Sequence, residues 1–203
     1  MKLFHSPTTP FGRKVMVLIL ETGLQDRVEL VSATGSPLQP GSMPLDHNPL
    51  GKIPALLLED GSTIYDSRVI CRYLDDLAKA GLYPKAPLLW DTLTLEATAD
   101  GMLDAAALMV YEVRTRPPEK QFEGWIAAQW NKVARALDAL ERDWIAHLNG
   151  PLDMGQIAVG AALGYLDLRH AGRDWRQGHA KLADWAARFG QRASMLATVP
   201  VAS

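Results

Sequence analysis

The chain has 203 residues, of which 48% are apolar, enough to bury the core of one large domain or two small ones, and a formal net charge of −2 that offers no basic excess for nucleic acid or an anionic membrane surface. A single cysteine, Cys71, excludes an intrachain disulfide and fits a reducing compartment, so a cytoplasmic location is expected. Lys2 runs almost directly into Pro7, which argues against a signal peptide, and no stretch approaches the ~20 apolar residues needed to span a bilayer.

Taken in order, Lys2 to His5 reads as a short strand that enters Ser6-Pro7-Thr8-Thr9-Pro10. Thr9-Pro10 is a helix start, with threonine as the expected cap and proline at the first position, where an N–H would be unpaired anyway. A helix is expected from Phe11 to Glu21, apolar enough to pack on a sheet, with Gly23 ending it. Val28 to Val31 reads as a second strand, parallel to the first across the helix. Ala33 to Asn48 is rich in Gly, Pro and Ser and reads as a long loop with room for one helical turn.

Asn48 to Asp66 then carries several signals at once. Ala55 to Leu58 is a short apolar strand, Glu59-Asp60-Gly61-Ser62 is a hairpin turn, and Thr63-Ile64-Tyr65 is a second strand. Asp66 and Ser67 sit where a helix starts, and that helix is expected to run to Lys79. A strand entered through Pro54 leaves backbone groups unpaired near Ile53, and a helix start favours negative charge. The same residues also suit a plain strand, hairpin and cap with no ligand.

Ala80 to Pro87 reads as a linker. Beyond it the pattern is helical: Leu88 to about Arg114, a break at Pro117-Pro118, then Glu119 to about Leu148. Asp153 with Gln156 three residues on forms a capping box, and Leu152 with Ile157 a hydrophobic staple, for an apolar helix to about Leu168. A last helix spans about Lys181 to Phe189, with a possible extension to Met195.

The five histidines form no pair at i, i+3 or i+4, so no metal site is expected. Cys71 lies inside a helix and reads as a small buried apolar residue. The hydroxyls of Ser6, Thr8 and Thr9, next to free N–H groups, are suited to an anion such as a thiolate, or simply to a helix cap and two loop hydroxyls.

Together these segments resemble a glutathione transferase. S-P-T-T-P-F-G-R-K-V resembles the first helix start of bacterial members that open Ser-Pro-Phe, N-P-L-G-K-I-P-A-L the family's proline loop, and Y-D-S-R-V-I-C-R-Y-L its acid-serine helix start. A-D-G-M-L-D-A and G-Y-L-D-L-R resemble its helical domain. The resemblance implies an α/β thioredoxin-like domain at residues 1–79, a linker at 80–86 and an all-α domain at 87–203. It implies a cis Ile53–Pro54 bond, with Ile53 and Pro54 presented to the cysteinyl backbone of glutathione. Asp66 and Ser67 would hold the γ-glutamyl group, Lys52 the glycine carboxylate, and Phe11 would complete the glutathione site. Thr9 occupies the position of the catalytic serine or cysteine, with Ser6 as reserve donor. The electrophile pocket is expected between Pro7, Phe11, Met102, Leu108 and Tyr111. The implied activity is conjugation of glutathione, the only co-substrate, to small hydrophobic electrophiles in detoxification, by a homodimer. A glutathione-dependent peroxidase and a non-catalytic glutathione-binding stress-response protein are the alternatives. One departure is Arg192-Ala193-Ser194, where relatives commonly have Arg-Pro-Ser.

Overall fold

The computed structural model describes residues 1–200; the last three residues of the expected helical domain, 201–203, lie outside the described residues. Four strands, β1 (Lys2–His5), β2 (Glu29–Ser32), β3 (Ala55–Leu57) and β4 (Thr63–Ile64), form one sheet in the order β2-β1-β3-β4. β1 and β2 are parallel, joined through helix α1 (Pro10–Glu21), whereas β1–β3 and β3–β4 are antiparallel. β2 lies one residue later than expected because Lys2 pairs with Glu29, which leaves Val28 buried at the end of a short 3-10 turn. The 33–54 segment forms no helix beyond a single turn, in which the His47 and Asn48 N–H groups donate to the Pro44 carbonyl at 3.0 and 2.7 Å. Prolines at 37, 40 and 49 each remove an N–H that a longer helix would use. The segment is also pinned by Asn48, whose Nδ2 donates to the Lys52 carbonyl at 2.8 Å while its Oδ1 accepts from the Leu50 N–H at 3.0 Å.

Helix α2 (Ser67–Ala78) follows β4 and ends at Lys79, which has a left-handed φ of 52°. Among the described residues no strand follows residue 87; the elements there are α3 (Leu88–Thr115), α4 (Glu123–Ala139), a π-helical turn at Leu140–Trp144, α5 (Ile145–Leu148), α6 (Met154–Arg169), α7 (Ala180–Phe189) and α8 (Ala193–Ala197). The single helix expected from Glu119 to Leu148 is therefore divided. It begins after a 3-10 turn at Pro118–Lys120, and the π turn interrupts its second half. The apolar α6 is the centre of the bundle. It packs chiefly against α3 and next against α1, which carries the sheet. Its start is only half the expected capping box. Asp153 accepts from the Gln156 N–H at 3.0 Å, but the Gln156 side chain donates to the carbonyls of His147, Gly150 and Pro151, tying down the preceding turn.

Candidate glutathione site

Strand register alone gathers the predicted residues. Phe4 near the end of β1 lies opposite Ala55 at the start of β3, and Leu56 lies opposite Ile64 at the end of β4. The β1–α1 turn with Ser6 to Thr9, the β3 entrance with Lys52 to Pro54, and the β4–α2 turn with Asp66 and Ser67 therefore emerge at one edge of the sheet. The Ile53–Pro54 bond is cis, as expected, and so are Tyr65–Asp66 and Ala86–Pro87. Ile53 lies outside the ladder, which begins at Ala55.

Thr9 holds the N-cap position of α1 with extended backbone and Pro10 follows it, but its side chain makes no capping hydrogen bond. This corrects the expected threonine cap. The Thr9 methyl is packed over Gly12, and among the described residues the Phe11 and Gly12 N–H groups have no partner. The helix start thus keeps open donors and a positive dipole end. The neighbouring hydroxyls pair with each other: Ser6 Oγ and Thr8 Oγ1 are 3.3 Å apart.

At the second helix start the cap is made. Asp66 accepts from the Arg68 N–H at 3.0 Å and from the Arg68 guanidinium at 2.9 Å. Burial pushes the Asp66 carboxyl up, but these bonds from Arg68 outweigh it and hold the group below the usual carboxylate range. Ser67 is 2% exposed and its hydroxyl has no partner among the described residues. Lys52 is exposed, and its side chain has no hydrogen-bond or ion-pair partner among the described residues.

Behind this edge lies a charge cluster that sequence reading missed. Lys14 of α1 is fully buried, and its Nζ donates to Glu96 at 3.0 Å and to both Asp100 oxygens at 2.8 and 2.9 Å. Tyr83 donates to Glu96 at 2.9 Å, and Arg68 lies 3.7 Å from Asp100. Burial acts to lower the Lys14 pKa, but Asp100 chiefly, with Glu96, keeps it above its ordinary value. Arg68 therefore links the Asp66 carboxylate to a buried ion pair between α1 and α3. The available signal was a lysine beside Val15, Val17, Leu18 and Ile19, a charge that cannot be buried without a partner.

The expected electrophile-pocket residues are spread more widely. Pro7 is exposed and Phe11 half-buried, while on α3 Leu108 and Tyr111 are exposed and three residues apart, hence on one face. Met102 is 2% exposed and belongs to the core. A narrow cleft beside Thr8, Thr9 and Pro10 is lined instead by Ala161, Tyr165 and Arg13. Burial pushes the Tyr165 hydroxyl up, and neighbouring Tyr111 adds to the effect. Tyr165, hidden in the sequence within an apolar helical run, thus shares the cleft with Thr9. Cys71 is buried, and burial raises its thiol far above its ordinary range, so it is no nucleophile. No group of three or more potential metal ligands occurs among the described residues, and no helix is long and apolar enough to cross a membrane.

A small mixed sheet with its helices, joined to a helical bundle and bearing a cis-proline loop beside two helix starts, is the glutathione transferase fold. Comparison with known proteins agrees. Residues 8–77 match the family model "Glutathione S-transferase, N-terminal domain" and residues 123–188 "Glutathione S-transferase, C-terminal domain". The uncharacterized GST-like protein YibF of Escherichia coli K12 is 32% identical over 98% of both chains. A glutathione transferase family member from Pseudomonas fluorescens Pf-5, solved with bound glutathione, is 48% identical over 99% of both chains with a TM-score of 0.97. The glutathione S-transferase of Methylobacillus flagellatus KT, with glutathione bound, is 40% identical over 98% of this chain and 99% of its own, with a TM-score of 0.88. The chain belongs to the glutathione S-transferase family.

Proposed function

We propose that this protein binds glutathione along the sheet edge at Lys52, Ile53, Pro54, Asp66 and Ser67, ionises its thiol at Thr9, and conjugates it to small hydrophobic electrophiles. The observation that carries the reading is the unfinished start of α1: Thr9 does not cap its own helix, and the Phe11 and Gly12 amides have no partner among the described residues. A Pseudomonas fluorescens relative 47% identical to this chain was solved with S-(propanoic acid)-glutathione, a thioether of the kind such a reaction makes. On this reading residues 1–79 form the glutathione-binding domain and residues 87–203 supply the electrophile pocket, with Tyr165 sharing a cleft with Thr8, Thr9 and Pro10. The protein works in the cytoplasm, in detoxification, as a homodimer; exposed Val69 on α2 and Trp90 on α3 are apolar surface of the kind a partner subunit covers.

The energetics test the role of Thr9. A free thiol has a pKa near ~8.5, and lowering it by about two units requires about 2.7 kcal/mol of preference for the thiolate. A helix N-terminus supplies ~0.3–1 kcal/mol, up to ~2 when partly buried. A hydroxyl hydrogen bond to the charged sulfur adds about 1.5–3 kcal/mol. Thr9→Ala is therefore expected to shift the thiolate absorbance curve of the binary complex to higher pH and to slow conjugation near neutral pH, with a smaller effect on glutathione affinity. If Ser6→Ala moves the curve and Thr9→Ala does not, Ser6 is the donor. If neither moves it and no electrophile turns over, the protein is a glutathione-binding module. Hydroperoxide turnover without conjugation marks a peroxidase working through the glutathione thiolate, because buried Cys71 is closed to that chemistry.

A further inference from the structure

One side of α6 leads from the cleft at Thr9 to a pair of arginines that have no acidic partner among the described residues. Ala161 and Tyr165 line that cleft, and Arg169 follows Tyr165 at the next turn, about 6 Å further along the axis. Arg169 is half-buried. His170, just past it, donates from Nε2 to the Ala106 carbonyl at 3.1 Å and holds the end of α6 against α3. On α3, Tyr111 and Arg114 stand one turn apart, both exposed. Burial raises the Tyr165 pKa, and the charges of Arg169 and Arg114 pull against it, so both guanidinium groups stand near the Tyr165 hydroxyl.

The carboxylates of these two helix ends are engaged elsewhere. Glu112 of α3 accepts from Arg116 at 2.9 Å and from the Phe122 N–H at 3.1 Å. Asp167 of α6 accepts from both Nη atoms of Arg176, at 2.6 and 2.8 Å, and its charge also acts on Arg13. Asp174 acts on Arg176 as well. Asp104 shares the Tyr111 face of α3 but lies two turns back, about 10 Å along the axis. His170 adds no charge near neutral pH, because burial lowers its pKa. Arg169 and Arg114 therefore present positive charge beside a tyrosine that also borders the cleft at Thr9. A partly buried cation gains from an incoming anion that it can hydrogen-bond.

We propose, resting on the conjugation described above, that the electrophile is an apolar molecule bearing a carboxylate at the end remote from its reacting carbon, and that Arg169 selects it, with Arg114 in support. The reacting carbon meets the glutathione sulfur beside Thr9, and the Tyr165 and Tyr111 rings offer surface to the apolar body. The carboxylate accepts from the Arg169 guanidinium and the Tyr165 hydroxyl. With a benzylic halide, the thiol proton passes to solvent and the thiolate sulfur forms the new bond to carbon. The carbon–halogen bond breaks, and halide leaves with the electron pair.

The test is calorimetry on the full chain with two thioethers, S-(4-carboxybenzyl)glutathione and its uncharged counterpart S-(4-carbamoylbenzyl)glutathione, and with glutathione itself as control. The acid is expected to bind at least about tenfold more tightly than the amide, the effect of one charge-assisted hydrogen bond. Arg169→Gln is expected to cut that ratio below about threefold with glutathione affinity unchanged, and Arg169→Lys, which keeps the charge, to retain part of it. In turnover, 4-(chloromethyl)benzoate should exceed 4-(chloromethyl)benzamide in kcat/KM through a lower KM, each corrected for its uncatalysed rate. Glutathione binding with equal affinity for the two thioethers overturns the proposal and leaves the glutathione site standing. A preference that survives Arg169→Gln in full overturns it too. The preference without turnover of either halide upholds selection of a carboxylate by Arg169 and overturns the conjugation reading alone. No binding of glutathione or of either thioether overturns both. Should Arg169→Gln fail to fold, the thioether pair and Arg169→Lys decide it.

Discussion

Thr9 carries a methyl as well as a hydroxyl, and Gly12 makes room for the methyl. A Cβ added at Gly12 would lie 2.6 Å from Thr9 Cγ2. Alanine favours a helix over glycine by about 0.8–1 kcal/mol, so on propensity alone Gly12→Ala would stabilise α1. The structure predicts otherwise: the new methyl forces Thr9 out of its rotamer and re-aims its hydroxyl. Glutathione conjugation is expected to fall by about tenfold or more, the effect of losing a hydrogen bond to a charged group, with no gain in thermal midpoint. Adding Thr9→Ser removes Cγ2 and should restore activity in the double variant; steady-state kinetics of the single and double variants decide it. Failure of that rescue would show that Gly12 acts in some other way. At this scale the sequence showed which residue types to expect, through the proline loop and the acid-serine pair. The Asp66 cap on the Arg68 N–H follows from the helix start read there, whereas the Arg68 guanidinium bond to Asp66 and the Asn48 brace were not legible, because both depend on backbone turns that bring neighbours in the chain face to face.

Elements were legible where their ends carry chemistry of their own. Asp153 marks the start of α6, and the structure gives its carboxylate three partners: the Gln156 N–H, the Thr92 hydroxyl at 2.7 Å and His147 Nε2 at 2.6 Å. Losing a cap costs ~1 kcal/mol, and losing the hydrogen bonds with His147 and with Thr92, whose hydroxyl keeps the Leu88 carbonyl at 3.3 Å, adds about 0.5–1.5 kcal/mol each. Asp153→Ala is therefore expected to destabilise the fold by about 2–4 kcal/mol in urea unfolding, whereas Asp153→Ser, which keeps a capping oxygen, should recover part of the loss. The π turn at Leu140–Trp144 was not legible, because apolar spacing continues through it. Its purpose emerges only from a distant element: Glu141 there accepts from the Leu182 N–H at 2.7 Å and from the Lys181 N–H at 3.3 Å, closing the start of α7.

At the scale of the whole molecule, α1 is the joint between sheet and bundle, and its charged residues all reach across. Lys14 binds Glu96 and Asp100 of α3, Arg13 reaches α8, and Glu21 takes both Nη2 and Nε of Arg192, at 2.7 and 2.9 Å, as well as the Ser194 hydroxyl. Lys14→Met would strand two buried carboxylates and is expected to cost about 3–5 kcal/mol in urea unfolding. Glu21 gives a pH-dependent test. Hydrogen bonds from Arg192 hold its carboxyl below the usual range, against an opposing push from burial, and Ser194 adds to the lowering. The folded state therefore releases its proton more readily than the unfolded chain, whose glutamates titrate near ~4.3. Between the two values the unfolded chain holds more protons, so stability rises with pH across that window. The Glu21 contribution is complete above the unfolded value and disappears as pH falls through the folded one. Glu21→Gln is thus expected to be less stable than the parent at pH 7, with the gap closing on acidification below the unfolded value. Asp66, also held low, adds slope to parent and variant alike and cancels in the difference. Urea unfolding of both proteins from neutral to acid pH measures that difference. A gap that stays constant with pH would mean that α8 is held by packing of Met195 and not by the Glu21–Arg192 pair.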